Sequence, residues 1–400
     1  MDSSVYWIWL VQCFGAGNSR IWEALSHFGG DPETAYNEIK AKKADFLTEW
    51  ERKSAETTHL KQSEEMISYC ELKDIDIVCF DDERYPNRLK GIFNPPALLF
   101  CMGDISFIEN EISIAVVGTR HPSPYSIKFA QKICGELSKV GVVIVSGFAL
   151  GIDSMAHQAA LKNHVPTVAV LGCGIDVPYP KENTQVKKVI AKNGAVISEF
   201  FPGTPPSGKN FPVRNRIISG LCLGTLVIEA GLKSGALITA ECALQQGRDV
   251  FCVPPADLFD ERYSGVIRLI RDGAIPTFSH IDILYEYYQN FSHKLNAANV
   301  YESYAVSQEI KNADEIKSHN EYNNSKANNI IEEKDTAKYD TSELDEQQAE
   351  IVKLLEKNGS LLADELSAML EADVSEVLSQ LTELELLGIV TAQAGKRYSL

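Results

Sequence analysis

The chain lacks any apolar run long enough to cross a bilayer, for which about 20 consecutive apolar residues are needed. Its apolar start, Val5–Phe14, is short and follows no basic region, so it reads as a buried helix, not as a signal peptide. No membrane partner is expected. The nine cysteines are odd in number and form no Cys-x-x-Cys pair, which argues against a disulfide framework or a zinc site and fits a reducing cytoplasm. The eight histidines fall at no metal-ligand spacing, so no metal is expected. Positive charge is also scarce: 38 Lys and Arg against 55 Asp and Glu give a net charge of −17. A uniformly basic surface, the usual source of non-specific nucleic-acid affinity, is excluded.

Two nucleotide signatures are missing as well. Gly172-x-Gly174 lacks the third glycine of a dinucleotide fingerprint. Gly231-Leu232-Lys233-Ser234 has the ending of a phosphate-binding loop, but its leading glycine would have to be Leu226. No cofactor is expected. No Ser-His-Asp or Cys-His set and no carboxylate pair with a defined role emerges, so no catalytic residue is assigned. Asp153 and His157 stand at i and i+4 on one helix face. Acid–base chemistry is one reading of that pair; the favoured one has Asp153 capping the helix or holding a loop N–H while His157 packs or pairs with it.

What is present is an alternation of apolar strands and amphipathic helices. Strands are expected at Ile114–Val117, Val142–Val145, Thr167–Leu171, Ala195–Ser198, Thr225–Ile228 and Asp249–Val253. Helices are expected at about 124–139, 153–163, 182–192, 212–220 and 235–246. Strands apolar throughout are buried on both faces, so the fold class is α/β: an extended Rossmann-like, doubly wound parallel sheet. Residues 75–110 hold short apolar segments broken by turns, and they suggest an extension at one sheet edge.

Four regions follow. Residues 1–70 suggest a helical module of the helix-hairpin-helix or SAM-like kind, turning at Gly15-Ala16-Gly17, with a packing or protein-contact role. Residues 75–290 read as an extended Rossmann-like domain, expected to be the DNA-binding domain on the grounds that follow, and 291–340, rich in Asn, Lys, Glu and Ser, read as a flexible linker. Residues 341–400 suggest three helices and a hairpin, a winged-helix module. Its third helix carries Glu376, Glu383 and Glu385, which would repel phosphate, so a protein contact is favoured over groove binding.

In an open parallel sheet, ligands bind beyond the C-terminal strand ends. Gly118-Thr119-Arg120, Ser146-Gly147 and Gly172-Cys173-Gly174 follow the first three expected strands. Together they suggest a ledge of backbone N–H groups and helix N-termini for phosphate. Charge is uneven nearby: Lys181, Lys187, Lys188, Lys192, Lys209, Arg214 and Arg216 face only Glu182 and Glu199. Phe211-Pro212-Val213-Arg214-Asn215-Arg216 adds a ring that could stack on a base beside two guanidinium forks. Against these stand plainer roles: a surface ion pair for Arg120, a core anchor for Phe211, and snorkelling for Arg214 and Arg216.

Taken in order, these segments, with Glu229-Ala230-Gly231 through Thr239-Ala240 and Gln246-Gly247-Arg248-Asp249-Val250, closely resemble the bacterial DNA-processing protein A (DprA, or Smf) family. The resemblance covers about 75–290. It implies a dimer that binds single-stranded DNA, interacts with the recombinase RecA and loads it on incoming DNA during natural transformation, without turnover. It implies contacts from Gly118, Thr119, Arg120, Ser146, Gly147, Lys209, Phe211, Arg214, Asn215 and Arg216. Arg120, Lys209 and Arg214 are assigned to phosphate, Phe211 to base stacking, and Ser146 and Gly147 to backbone contacts. The chain departs from the family at Val253-Pro254-Pro255 and at Gly265-Val266-Ile267-Arg268, where a glycine and an asparagine are usual. A rival reading is a nucleoside-monophosphate phosphoribohydrolase-like enzyme, but its Pro-Gly-Gly-x-Gly-Thr loop is replaced by Glu229–Gly235. A third is a scaffold acting through the acidic winged helix.

Overall fold

The computed structural model describes residues 3–291, 294, 346–370, 372–386, 389–393 and 397–399. Five helices come first: α1 (Ser4–Phe14), α2 (Arg20–His27), α3 (Pro32–Lys40), α4 (Glu49–Thr57) and α5 (Leu60–Leu72). Then follow β1 (Asp76–Cys79), α6 (Asn87–Lys90) and β2 (Leu98–Gly103). The alternating region runs β3 (Ser113–Val117), α7 (Pro124–Lys139), β4 (Val143–Ser146), α8 (Ile152–Lys162), β5 (Thr167–Leu171), α9 (Thr184–Asn193) and β6 (Ala195–Ser198). It continues with α10 (Asn210–Gly220), β7 (Gly224–Val227), α11 (Gly235–Gln245), β8 (Asp249–Cys252), α12 (Ser264–Arg271), β9 (Ile275–Pro276) and α13 (His280–Phe291).

Nine strands among the described residues make one sheet, in the order β1-β2-β6-β5-β4-β3-β7-β8-β9. From β6 to β9 the pairs are parallel; β1 and β2 add an antiparallel edge, with Phe100 opposite Ser198. This is the edge extension expected from residues 75–110. Side chains alternate between faces as the strand period requires. Ala115, Val117, Val145 and Val170 share a core with α10, α11 and α12. Ile114, Val116 and Ile144 share another with α7, α8 and α13.

The N-terminal helices have no core of their own. Trp7, Trp9 and Leu10 of α1 belong to one cluster with Leu98 and Phe100 of β2 and Ala169 and Leu171 of β5. Residues 3–291 therefore form one packed body. The Gly15-Ala16-Gly17 turn docks on the sheet region: Gly17 donates its N–H to Glu199 Oε1 at 3.0 Å, and Asn94 Nδ2 donates to Gly17 O at 2.8 Å. That is a packing role for the turn.

The C-terminal unit is separate and has its own core, built from Ile351, Leu355, Leu366, Leu381 and Leu384. It contains α14 (Glu346–Asn358), β10 (Ser360–Leu362), α15 (Ala363–Leu370), α16 (Val374–Leu386), β11 (Thr391–Gln393) and β12 (Arg397–Ser399). β11 pairs antiparallel with β12, and β12 with β10, giving the three helices and wing expected. Glu376, Glu383 and Glu385 are exposed on α16. The linker expected at 291–340 lies almost wholly outside the described residues.

His157 is fully buried, with Nδ1 2.8 Å from Thr167 Oγ1 and Nε2 without a hydrogen-bond partner among the described residues. Burial, helped by the Arg214 charge, pulls its imidazole down to about 3. The unfolded chain takes that proton near the ordinary value of about 6.5. His157 therefore favours the fold fully above that pH, and the contribution falls by about 1.4 kcal/mol per pH unit as pH drops toward the folded value. Urea unfolding at pH 7 and 5.5 should show a steeper loss for the wild type than for His157→Gln. Equal losses would contradict a neutral buried imidazole.

Candidate nucleic-acid interface

The strand order reverses between β3 and β7, because the chain crosses from β6 over α10 to the far side of β3. A crevice opens at such a switch point, outside the C-terminal strand ends. Here it is a cavity of about 640 Å³. The turn after β3 supplies Gly118, Thr119, Arg120 and His121; the β4–α8 segment supplies Ala149 and Asp153. Helix α10 contributes Phe211, Arg214, Asn215 and Ile218, and the opposite wall holds Glu229, Lys233, Ser234, Thr239 and Arg262.

Phe211 is half-buried at the rim. Its ring lies against Gly172, where an added Cβ would sit 2.7 Å from Phe211 Cδ1, so only glycine leaves room. The ring centroid is 5.8 Å from that of Tyr179. Two guanidinium groups flank it: Arg120 Cζ at 5.5 Å and Arg214 Cζ at 5.8 Å from the centroid, within cation–π range. The two arginines differ in everything else. Arg120 is exposed and makes no ion pair among the described residues. Arg214 is 5% exposed, and its Nη1 donates to Val170 O and, at 2.7 Å, to Gly147 O. Its Nε donates to Asn215 Oδ1 at 3.1 Å.

Burial pulls the Arg214 guanidinium down to about 10, which leaves it charged at neutral pH. Asp153 is buried beside it; desolvation pushes its carboxyl up, opposed by the Arg214 charge. Asp153 Oδ2 accepts the Ala149 N–H at 3.2 Å, while His157 bonds Thr167. Asp153 thus holds a loop N–H, one of the two plain roles considered for it, and the pair makes no acid–base relay. The loop between β4 and α8 is tightly set: Phe148, buried, has φ of 60°, a conformation that needs its surroundings to hold it.

The remaining expected residues divide. Ser146 is buried behind the rim and donates to Val116 O at 2.6 Å. Gly147 is buried too, and a Cβ there would meet the Arg214 guanidinium at 2.8 Å. Neither lines the cavity. Gly118 does, and it also makes room for Ile152. Asn215 lines the wall and donates to Gly235 O at 3.3 Å. Lys209 is exposed just ahead of α10, outside the cavity lining.

Arg216 turns away from the cavity. It holds Glu199 in a two-pronged pair at 2.7 and 2.9 Å and donates to Asn94 O at 2.9 Å. Lys187, counted in the basic stretch, is buried with Nζ on Ile175 O and Val177 O. The basic stretch is therefore partly a framework. His121, Lys233, Thr239 and Arg262 went unpredicted as lining residues. For Lys233 and Thr239 the signal was the strand order, which places the segment after β7 beside the turn after β3; Arg262 comes from the segment after β8, and His121 directly follows Arg120 in the chain.

An open parallel sheet with a cationic, aromatic-bearing crevice at its switch point defines a Rossmann-like protein with a nucleotide-binding layout. The comparisons give the family. The model described as DNA recombination-mediator protein A matches residues 76–288, and the DprA winged helix domain matches 335–396. DNA processing protein DprA of Bacillus subtilis is 43% identical over 212 residues, covering 53% of this chain and 71% of that protein. The Streptococcus pneumoniae protein of the same name is also 43% identical, over 206 residues, covering 52% and 72%. The X-ray structure of the Streptococcus pneumoniae DprA superposes with a TM-score of 0.63 at 35% identity, covering 72% of this chain and 99% of that one. The chain belongs to the DNA-processing protein A (DprA/Smf) family of DNA recombination mediators.

The Arg216–Glu199 pair ties α10 to the segment after β6 and, through Gly17, to the N-terminal helices. Arg216→Met leaves a carboxylate that is 5% exposed without its counter-charge. A loss of about 3 kcal/mol is expected in urea unfolding. A loss below about 0.5 kcal/mol would show the pair to be dispensable.

Proposed function

We propose that the switch-point crevice holds single-stranded DNA, without catalytic turnover. The single observation that carries the reading is the pairing of Arg120 with Phe211. An exposed guanidinium that makes no ion pair among the described residues stands over a half-exposed ring, which offers phosphate and base a place side by side. A duplex hides its base faces; an unpaired strand presents them. Lys209, Gly118 and Thr119 complete the contact surface. Arg214, Asn215, Ser146 and Gly147 position it from behind, and Arg216 fixes α10.

The wider reading follows the family. The protein works as a homodimer that protects incoming DNA and loads RecA on it during natural transformation. The exposed carboxylates of α16 support a protein contact for the winged helix. Nine free thiols, eight of them buried, suit a reducing cytoplasm. Among the described residues no helix is long and apolar enough to cross a membrane.

The test is fluorescence anisotropy with an unstructured oligonucleotide and its duplex over a salt series. The single strand should bind more tightly, with affinity falling steeply as salt rises. Arg120→Ala should flatten the slope of log K against log salt by about 0.7, the single-strand value per phosphate contact. Phe211→Ala should cost about 1–3 kcal/mol with the slope unchanged. No binding to either form at low salt would overturn the reading and point to hydrolysis of nucleoside monophosphates.

A further inference from the structure

Beyond the Arg120–Phe211 pair, the cavity has a second cationic end. Its volume falls in the range of roughly 300–1,000 Å³ typical of sites for whole small molecules, more than one stacked base requires. This end is formed by the first turn of α11, an eleven-residue helix capped by Ser234, whose side chain accepts the Ala236 N–H. A helix start carries partial positive charge and unpaired N–H groups. Lys233, directly before it, is exposed and makes no ion pair among the described residues.

Thr239 supplies an independent observation. It is 1% exposed, lines the cavity, and has no hydrogen-bond partner for its hydroxyl among the described residues. It stands one turn after Gly235, on the same face of α11. A helical threonine ordinarily donates back to the carbonyl four residues earlier. That carbonyl, Gly235 O, already accepts Asn215 Nδ2 at 3.3 Å. The Thr239 hydroxyl is therefore left to face whatever fills the cavity.

We propose that the first turn of α11, Lys233 and the Thr239 hydroxyl form a second phosphate subsite, which takes an internal phosphodiester of the same strand that passes Arg120 and Phe211. The assignment rests on the single-strand reading above. Two acids temper the positive charge of the cavity. Glu229 is buried in the wall with Oε2 held by the Ser123 N–H at 2.9 Å, and Asp153 lines the same space. The strand that passes Arg120 and Phe211 brings internal phosphodiesters of one negative charge each, and that supply, not the charge balance of the cavity, makes the ligand a diester.

The experiment uses the full chain, an unstructured oligonucleotide, and deoxythymidine monophosphate and inorganic phosphate as competitors. Lys233→Ala should flatten the salt slope by about 0.7, and Arg120→Ala with Lys233→Ala by about 1.4. Thr239→Val should weaken oligonucleotide binding several-fold with the slope and the unfolding midpoint unchanged, because its hydroxyl supports nothing inside the protein. Millimolar deoxythymidine monophosphate or phosphate should not displace the oligonucleotide. A wild type that binds while Lys233→Ala keeps the full slope and Thr239→Val the full affinity overturns the subsite. Displacement by either competitor that Lys233→Ala abolishes overturns the diester assignment. A wild type that binds no oligonucleotide at all defeats the single-strand reading itself.

Discussion

The buried guanidinium of Arg214 is the interaction on which the site depends. It joins three elements: α10, which carries it, and the ends of the neighbouring strands β4 and β5, whose carbonyls at Gly147 and Val170 it holds. Taking a charge out of water is costly, and it persists only where hydrogen bonds and opposite charge compensate. Here two carbonyls, Asn215, the Phe211 ring and nearby Asp153 do so. The gain is rigidity. α10 is fixed across the strand ends, so Phe211 has a set position at the rim.

Around that tie the small residues take their meaning. Gly147 lets Arg214 approach the backbone, and Gly172 lets the Phe211 ring come close to the turn after β5. These glycines give side chains room, whatever they also offer a phosphate. The division of labour among cations follows the same logic. Lys187, Arg214 and Arg216 are spent on carbonyls and a carboxylate inside the fold. Arg120, Lys209 and Lys233 remain exposed. A net-acidic protein can thus present a cationic crevice, because what counts is the local field and not the total.

Much of the fold was legible in the sequence. All six expected core strands lie within about a residue of their positions, and Thr167–Leu171 and Ala195–Ser198 coincide with β5 and β6. Buried parallel strands are written as uninterrupted apolar runs, a local signal. The Arg120 turn and the Phe211 run were legible for the same reason. What stayed hidden is non-local. Arg214 and Arg216 are two residues apart and of one type, yet one meets carbonyls 44 and 67 residues away and the other a carboxylate at 17. Nothing in the local pattern separates them. The β3–β7 adjacency, which brings Lys233 and Thr239 to the cavity, is a fact of strand order alone. The N-terminal helices read as a module of their own because their periodicity is local, whereas the core they share with β2 and β5 is not.

The central claim is that Arg214 positions the crevice from inside while Arg120 meets the strand. The most direct measurement is the salt dependence of single-strand affinity for Arg214→Gln, taken together with its urea unfolding curve. The account predicts lost stability and weakened binding with the slope of log K against log salt unchanged. A slope flattened by about 0.7 with the unfolding midpoint unmoved would show Arg214 on a phosphate and contradict it.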